Sequence, residues 1–112
     1  CSVQHLPGFV TNASNLKDKG ADVVACISVN DPFVMAAWGK DRSAGEDVLM
    51  LSDGNAEFTS AIGLEMDGSG FGLGTRSQRY AMIIEDGVVS TLNVESGPGL
   101  EVSAAETILE AL

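Results

Sequence analysis

The sequence predicts a single α/β domain in which helices alternate with short strands. Two short apolar runs rich in β-branched residues flank an Asp-Pro helix start, and parallel strands joined by a helix form a right-handed βαβ unit. Two further strand patterns flank an Asp-Gly pair, which is the signature of a two-residue hairpin. The predicted order is α-β-α-β-α-β-β-α, and 112 residues are enough for one core and too few for two.

The first predicted element is an amphipathic helix. Its apolar residues recur with the i, i+3, i+4, i+7 spacing of one helix face: Leu6, Phe9, Val10, Ala13 and Leu16. Lys17 and Lys19 in the last turn and Gly20 just beyond it indicate where the helix ends. Pro7 has no N–H, so a helix that began at Ser2 would kink near its first turn.

The next three elements form the predicted βαβ unit. The unbroken apolar run VVACISV, Val23–Val29, is typical of a strand buried on both faces of a parallel sheet. Asp31 followed by Pro32 predicts a helix with a carboxylate N-cap and a proline at its first position. We expect this helix to bring three apolar side chains to the core: Val34, Met35 and Trp38. The second parallel strand is VLML, Val48–Leu51.

A turn, a short helix and a loop follow the second strand. Asp53-Gly54 predicts the turn, and the helix runs from about Ala56 to Gly63. The stretch MDGSGFGLGTRS is rich in glycine and has no apolar period, so it is predicted to be a loop.

The last part of the chain predicts a hairpin and a helix. RYAMIIE and VVSTLNV are the strands on either side of Asp86-Gly87. After the loop ESGPG, Ser103 and Glu106 have the spacing of a capping box, which predicts the start of a helix. That helix carries two apolar residues near the end of the chain, Leu109 and Leu112.

Charge and composition argue against several classes of partner. Sixteen acidic and six basic side chains give a formal net charge of −10, so we expect neither a nucleic acid nor a membrane as a partner. No apolar run approaches the roughly 18 to 20 residues that span a bilayer. Two cysteines at unrelated spacing and one histidine are too few for a zinc site, so no metal and no cofactor are expected.

Cys1 gives the first indication of chemistry. With one strand placed before it, the order of elements becomes thioredoxin-like, so the chain looks like that fold with its N-terminal strands missing. Unpaired N–H groups and the helix dipole at the start of a helix favour the thiolate, which is the nucleophilic form of cysteine. Taken alone, this placement also fits an ordinary cysteine. His5, one turn on, is either a general base or a residue that packs and forms a hydrogen bond.

Four blocks, which extend over most of the chain, resemble one known family. They read CSVQHLPGF, ACISVNDPFVMAAWGKD, LSDGNAEFTSAIGLEMD and GLGTRSQRYAMIIEDGVV. In the same order and spacing, they are similar to the type II, peroxiredoxin 5-like, peroxiredoxins. The resemblance implies that Cys1 is the peroxidatic cysteine, whose thiolate attacks hydrogen peroxide or an organic hydroperoxide and becomes a sulfenic acid. It also implies that Arg79, just before the aromatic residue that opens a strand, holds this thiolate and stabilises the leaving oxygen.

The resemblance implies further site residues. In the family the glycine-rich region borders the active-site pocket, so we expect Phe71 and Leu73 to form an apolar wall. Arg76 is expected to support Arg79 or to bind anions, and His5 to support the same pocket. The family also has a Pro and a Thr a few residues before the peroxidatic cysteine, which the chain lacks. We therefore expect residues 1–112 to be an N-terminally truncated peroxiredoxin domain that is poorly folded and inactive alone.

The reduction of the sulfenic acid is a separate question. Animal peroxiredoxin 5 proteins have a resolving cysteine where this chain has Val102, so that internal disulfide cannot form. Cys26 matches a second cysteine of the subfamily and is either a resolving or a structural thiol, with the structural role favoured because it lies mid-strand. The resemblance then implies an external thiol reductant, glutaredoxin or thioredoxin, and a homodimer. We expect a cytoplasmic location, with organelle targeting left open.

Two other hypotheses compete with this interpretation. Cys1 taken as a mature N-terminus would suit an N-terminal nucleophile hydrolase, although such enzymes need larger sheets than this chain supplies. A non-enzymatic redox sensor or interaction domain on the same fold, in which oxidised Cys1 signals to a partner, shares the first chemical step with a peroxidase.

Overall fold

The computed structural model describes residues 2–97 and 99–112, which divide into two units. The first unit contains the described residues up to Val24 together with those of Arg79–Leu112, and the second is the continuous segment Ala25–Gln78. No helix of this described part is long and apolar enough to cross a membrane.

The elements follow one another with two more strands than predicted. In chain order they are α1 (His5–Asp18), β1 (Ala25–Ser28), α2 (Pro32–Asp41), β2 (Leu49–Ser52), α3 (Glu57–Ala61), β3 (Glu65–Asp67), β4 (Thr75–Ser77), β5 (Tyr80–Glu85), β6 (Val88–Val94) and α4 (Ala105–Ala111). A single 3₁₀ turn, Ser69–Phe71, lies between β3 and β4. The described strands pair two by two: β1 with β2, β3 with β4, and β5 with β6.

Helix α1 buries the apolar face that its sequence predicts. Leu6, Ala13 and Leu16 are buried, and the helix packs against α4, which also contacts β5. Because α1 begins at His5, Pro7 lies in its first turn, where a helix needs no N–H donor. The kink that would follow from a start at Ser2 therefore has no cause.

The hairpin β5–β6 has the predicted turn. Asp86 and Gly87 both have positive φ, 52° and 79°, as a type I′ turn requires. The register shifts by one residue between Ile83 and Ile84, which is a β-bulge.

The predicted capping box at the last helix is wrong. Helix α4 begins at Ala105, its N-cap is Ala104, and no side chain caps it. The hydroxyl of Ser103 instead donates to the carboxylate of Glu95 at 2.6 Å. Ser103 therefore belongs to the segment before the helix, and its partner comes from the end of β6.

In the second unit β1 and β2 are parallel, as predicted, with Ala25 opposite Leu49 and Ser28 opposite Ser52. The expected burial of the first run on both faces is wrong, because Val23 is 65% exposed and Ala25 is exposed. Burial of both faces of a strand needs a packed layer on each face, and α2, the helix between the two strands, packs mainly against β2.

Helix α2 begins as predicted and buries fewer side chains than expected. The carboxylate of Asp31 accepts the N–H of Val34 at 2.8 Å, and Pro32 is the first helical residue. Met35 is 1% exposed and Trp38 is half-buried, but Val34 is 46% exposed. The expectation that Val34 reaches the core is therefore wrong, because it lies in the first turn on the solvent side.

The predicted glycine-rich loop contains a small hairpin. Strands β3 and β4 are antiparallel, with Glu65 opposite Ser77, and the N–H of Gly68 donates to the carbonyl of Gly74 at 2.7 Å. Each strand has three residues, and most of them are exposed. A strand with neither face buried has no apolar alternation, so the sequence pattern did not indicate it.

Candidate active site

The two units divide the predicted site residues. Cys1 lies outside the described residues. His5 and Arg79 belong to the first unit. The second unit contains the other three, Cys26, Phe71 and Arg76.

His5 is the first residue of α1 and is half-buried. Its Nε2 lies 2.9 Å from the main-chain carbonyl oxygen of Ser103, and its ring meets that of Phe9 edge to face with centroids 5.6 Å apart. A carbonyl oxygen can only accept a hydrogen bond, so Nε2 carries the proton. Burial lowers the pKa of His5 below its usual value, and the charge of Arg79 lowers it further, although the bond to Ser103 opposes both. The ring is therefore held neutral, with its lone pair on Nδ1.

Arg79 lies immediately before β5 and is half-buried. Its Nη1 donates to the carbonyl of Gly99 at 3.2 Å, and its own carbonyl accepts the N–H of Glu95 at 2.9 Å. Both contacts come from the segment between β6 and α4. That segment therefore contacts both of the predicted site residues in this unit.

Glu95 follows β6 directly, and its side chain is only 8% exposed. Its carboxylate accepts the N–H groups of Glu101, Val102 and Ser103 at 3.0, 2.9 and 2.8 Å. The hydroxyl of Ser103 adds the shortest bond, at 2.6 Å. This hydroxyl is the largest cause that lowers the pKa of Glu95, to about 2, with the main-chain donors contributing and burial opposing. Glu95 is therefore a carboxylate at neutral pH.

Ser103 joins these residues to His5. It is fully buried, its N–H and hydroxyl face Glu95, and its carbonyl accepts the His5 proton. Neither Glu95 nor Ser103 is among the predicted site residues. The one signal in the sequence is an acidic residue at the end of a strand before a short glycine-containing segment, and many solvated loops share it.

Arg76 binds oxygens of its own unit. Its Nη1 donates to the carbonyl of Val29 at 2.6 Å and to Oδ1 of Asn30 at 2.8 Å, and its Nε donates to the carbonyl of Leu73 at 2.9 Å. These contacts tie β4 to the end of β1 and to the glycine-rich segment. Support of a pocket by Arg76 stays a prediction, and the geometry gives this side chain a structural task.

The apolar side chains of the glycine-rich segment face outward. Phe71 is 88% exposed and Leu73 is 48% exposed. Their expected role as the wall of a pocket stays a prediction.

Cys26 lies in the middle of β1 and is half-buried. Burial raises the pKa of its thiol to about 11, so it is protonated at neutral pH. A protonated thiol is a poor nucleophile, which favours the structural role.

A concave surface of about 580 Å³ in the second unit contains none of the predicted site residues. Its lining includes the carboxylates of Asp31, Asp53 and Glu57. Two of them are already used: Asp31 caps α2, and Asp53 accepts the N–H and hydroxyl of Thr59 at 2.8 and 2.6 Å. Among residues 2–97 and 99–112, no group of three or more His, Cys, Asp or Glu is arranged to hold a metal ion.

Comparison with known proteins identifies the family. The family described as Redoxin matches residues 1–109. The chain belongs to the redoxin family. Peroxiredoxin-2E of Arabidopsis thaliana, a chloroplastic protein, is 54% identical over 114 aligned residues that cover 100% of this chain and 49% of that protein. The chloroplastic Peroxiredoxin-2E-2 of Oryza sativa subsp. japonica is also 54% identical, with 100% and 51% coverage. The chain thus spans about half the length of these two curated relatives.

A solved relative confirms the fold. The crystal structure of reduced Prx3 from Vibrio vulnificus in complex with hydrogen peroxide is 62% identical, with a TM-score of 0.94 over 99% of this chain and 71% of that one. The predicted thioredoxin-like peroxiredoxin fold and the resemblance to type II peroxiredoxins are therefore confirmed. These named peroxiredoxins do not favour the sensor or the hydrolase.

The expected cytoplasmic location is wrong. Both plant relatives described above are chloroplastic proteins, which contradicts that expectation.

Proposed function

We propose that this protein is a thiol-dependent peroxidase that reduces hydrogen peroxide and organic hydroperoxides. One observation carries the proposal: the whole chain aligns with named peroxiredoxins at 54% identity. The hydrogen peroxide bound to the Vibrio vulnificus relative supports the same class of substrate. We further propose that residues 1–112 belong to one peroxiredoxin domain.

Cys1 is the proposed nucleophile. Its thiolate sulfur attacks one oxygen of the peroxide, an S–O bond forms and the O–O bond breaks. The leaving oxygen takes a proton and departs as water or an alcohol, while the sulfur loses two electrons and becomes a sulfenic acid. Two equivalents of an external thiol then restore the thiolate, since the first forms a mixed disulfide with loss of water and the second releases it.

Arg79 and His5 are the proposed supports of this step. Arg79 supplies a fixed positive charge, which favours the Cys1 thiolate and the negative charge that develops on the leaving oxygen. His5 lies four positions after Cys1 in the sequence, is the first residue of α1 and is held neutral. It supports the pocket through its packing and its Nδ1 lone pair, and it adds no second cation beside Arg79.

The recycling thiol is proposed to come from another protein, glutaredoxin or thioredoxin. Val102 stands where animal relatives are expected to carry a resolving cysteine, and Cys26 has a protonated, half-buried thiol. We also propose a homodimer, and a pocket bordered by Phe71 and supported by Arg76, on the basis of the family resemblance.

The proposal is tested on the full-length protein that carries residues 1–112. One equivalent of hydrogen peroxide is added together with a sulfenic-acid trap, and the adduct is mapped by mass spectrometry. The expected result is an adduct on Cys1 within seconds, which is lost in Cys1→Ser and strongly reduced in Arg79→Ala. Cys26→Ala is the matched cysteine control and is expected to keep the Cys1 adduct.

A second assay addresses turnover. Peroxide consumption is followed with a glutaredoxin system and, separately, with a thioredoxin system, and many equivalents are expected to be reduced by at least one of them. An adduct on Cys26 alone, or a Cys1 adduct without turnover in either system, would contradict the peroxidase proposal.

A further inference from the structure

The segment between β6 and α4 is fixed from one side by a single carboxylate. Glu95 is 8% exposed and accepts three consecutive main-chain N–H groups, those of residues 101–103, at 2.8 to 3.1 Å. The hydroxyl of Ser103 donates to the same carboxylate. Such charge-assisted bonds are shorter and stronger than neutral ones, so this carboxylate determines where Ser103 lies.

The carbonyl of Ser103 is the other end of the same peptide segment. It accepts the Nε2 proton of His5 at 2.9 Å, across 98 positions of sequence. A shift of this carbonyl by one ångström would stretch the bond beyond hydrogen-bonding distance. Glu95 is therefore linked to His5 through two sets of hydrogen bonds: Ser103 donates to the Glu95 carboxylate, and its carbonyl accepts from the His5 ring.

The bond also selects the tautomer of His5. While the Ser103 carbonyl is in place, Nε2 carries the proton and Nδ1 keeps its lone pair. Without that acceptor, the ring can rotate and either nitrogen can carry the proton. Among the described residues, the second ring contact is the edge-to-face packing on Phe9, which restricts the ring plane and leaves the tautomer free.

We propose that Glu95 is a positioning residue for the peroxide reaction, and that it acts through Ser103 to fix the orientation and tautomer of His5. This inference rests on the proposed peroxidase function. The proposed effect of Glu95 is indirect, through Ser103, so Glu95 is not proposed as a catalytic residue.

Glu95→Gln is the variant that tests the inference. Both bonds from Ser103 end on the same carboxylate oxygen, Oε2, and Oε1 accepts the N–H of Glu101. A neutral amide oxygen is a weaker acceptor than a carboxylate, and the NH₂ group would face the N–H of Glu101, so Glu95→Gln weakens the bonds that hold Ser103. Asp53→Asn is the matched control. Asp53 is likewise a buried carboxylate, 7% exposed, that accepts main-chain N–H groups and the hydroxyl of Thr59. It belongs to the second unit, and its side-chain hydrogen bonds are to Phe58 and Thr59 of that unit.

Two readouts are made on the full-length protein. The ¹⁵N chemical shifts of the His5 ring, assigned with His5→Gln, report the tautomer without any peroxide. Stopped-flow measurement gives the second-order rate constant of Cys1 oxidation. We expect Glu95→Gln to change the ¹⁵N pattern and to lower the rate constant by about tenfold or more, because misplacement of a site by about an ångström can cost about a hundredfold. Asp53→Asn should leave the pattern unchanged and the rate within about twofold.

A double-mutant cycle separates positioning from a general loss of structure. If Glu95 acts through His5, Glu95→Gln should lower the rate constant by less than about twofold in a His5→Gln background. An additive effect, or an unchanged ¹⁵N pattern, would overturn the inference. If Glu95→Gln does not fold, Ser103→Gly is used, which removes the hydroxyl and loosens the same segment; it must change the His5 pattern for the inference to stand.

The two proposals fail in different ways. If the unsubstituted protein forms no sulfenic acid at Cys1, the peroxidase function is wrong. If it does, and Glu95→Gln oxidises at the same rate, the function stands and the positioning role of Glu95 is wrong.

Discussion

Replacement of Arg76 by lysine tests whether this side chain holds the second unit together. Arg76 makes three charge-assisted hydrogen bonds: to the carbonyls of Val29 and Leu73 and to the side chain of Asn30. The bond to Leu73 is exposed, so water can replace it at little cost, whereas the bonds to Val29 and Asn30 are partly buried. Both partly buried bonds come from Nη1. The ammonium of lysine ends one bond short of that position, so it cannot reach both oxygens at these distances and keeps one of the two at most.

The expected loss follows from that count. A hydrogen bond to a charged group contributes about 1.5 to 3 kcal/mol. Arg76→Lys loses one partly buried bond completely, and the loss of the exposed bond adds little. We therefore expect its free energy of unfolding to be lower by about 2 kcal/mol. Alanine at this position loses all three bonds and is expected to cost about 3 to 4 kcal/mol.

Urea unfolding of the full-length protein measures the difference. Arg42→Lys is the matched control. Among the ion pairs of the described chain, Arg42 contacts its neighbour Asp41 at 3.3 Å, and such a pair contributes at most about 1 kcal/mol, which lysine can retain. If Arg76→Lys unfolds within about 0.5 kcal/mol of the unsubstituted protein, the fork does not hold these segments and the reasoning is refuted.

Three further predictions follow from burial and charge. Since the pKa of Glu95 is lowered from 4.5 to about 2, its stabilising effect is complete above pH 4.5 and is lost as the pH falls towards 2. Urea unfolding across that range should therefore show a shrinking difference in stability between the unsubstituted protein and Glu95→Gln. A constant difference would contradict the lowered pKa. Because burial raises the pKa of Cys26 to about 11, its alkylation by iodoacetamide in a Cys1→Ser protein should be slow at pH 8 and speed up steadily towards pH 11. The urea-unfolded protein should react quickly at pH 8. Equal rates for the folded and the unfolded protein at pH 8 would be inconsistent with burial of the thiol. Met35→Ala should lower the free energy of unfolding by about 2 to 5 kcal/mol and Val34→Ala by less than about 1 kcal/mol, because these neighbours are 1% and 46% exposed. If thermal unfolding shows similar losses for the two variants, the two side chains are buried alike and the prediction is wrong.

The sequence predicted those elements whose cause is local. Asp86-Gly87 specifies its turn because both residues must have positive φ, and Asp31-Pro32 starts α2 because an N-cap needs only the next three residues. The side of α2 that Val34 faces was predicted wrongly, because three apolar residues in one turn and a half do not define a unique face.

The candidate site could be predicted only in part. His5 and Arg79 came from the motif that carries the family resemblance. Glu95 was missed because its donors are main-chain N–H groups, which every residue except proline has, so no residue type marks them. Ser103 was wrongly predicted to cap the last helix. A serine hydroxyl can accept a hydrogen bond from a nearby N–H or donate one to a distant carboxylate, and only the fold decides between the two.

The division of the chain also determines when the candidate site can form. The first unit consists of the two ends of the chain, and the second is the uninterrupted segment between them. All contacts of the second unit can be made as soon as Gln78 has been synthesised, whereas His5 meets its acceptor only after residue 103. Because synthesis proceeds from the N-terminus, α1 is made before α4 and before the carbonyl that fixes His5. Closing such a long loop also costs more entropy than the short-range contacts of the second unit. The contacts that fix His5 can thus form only after those of the second unit are possible.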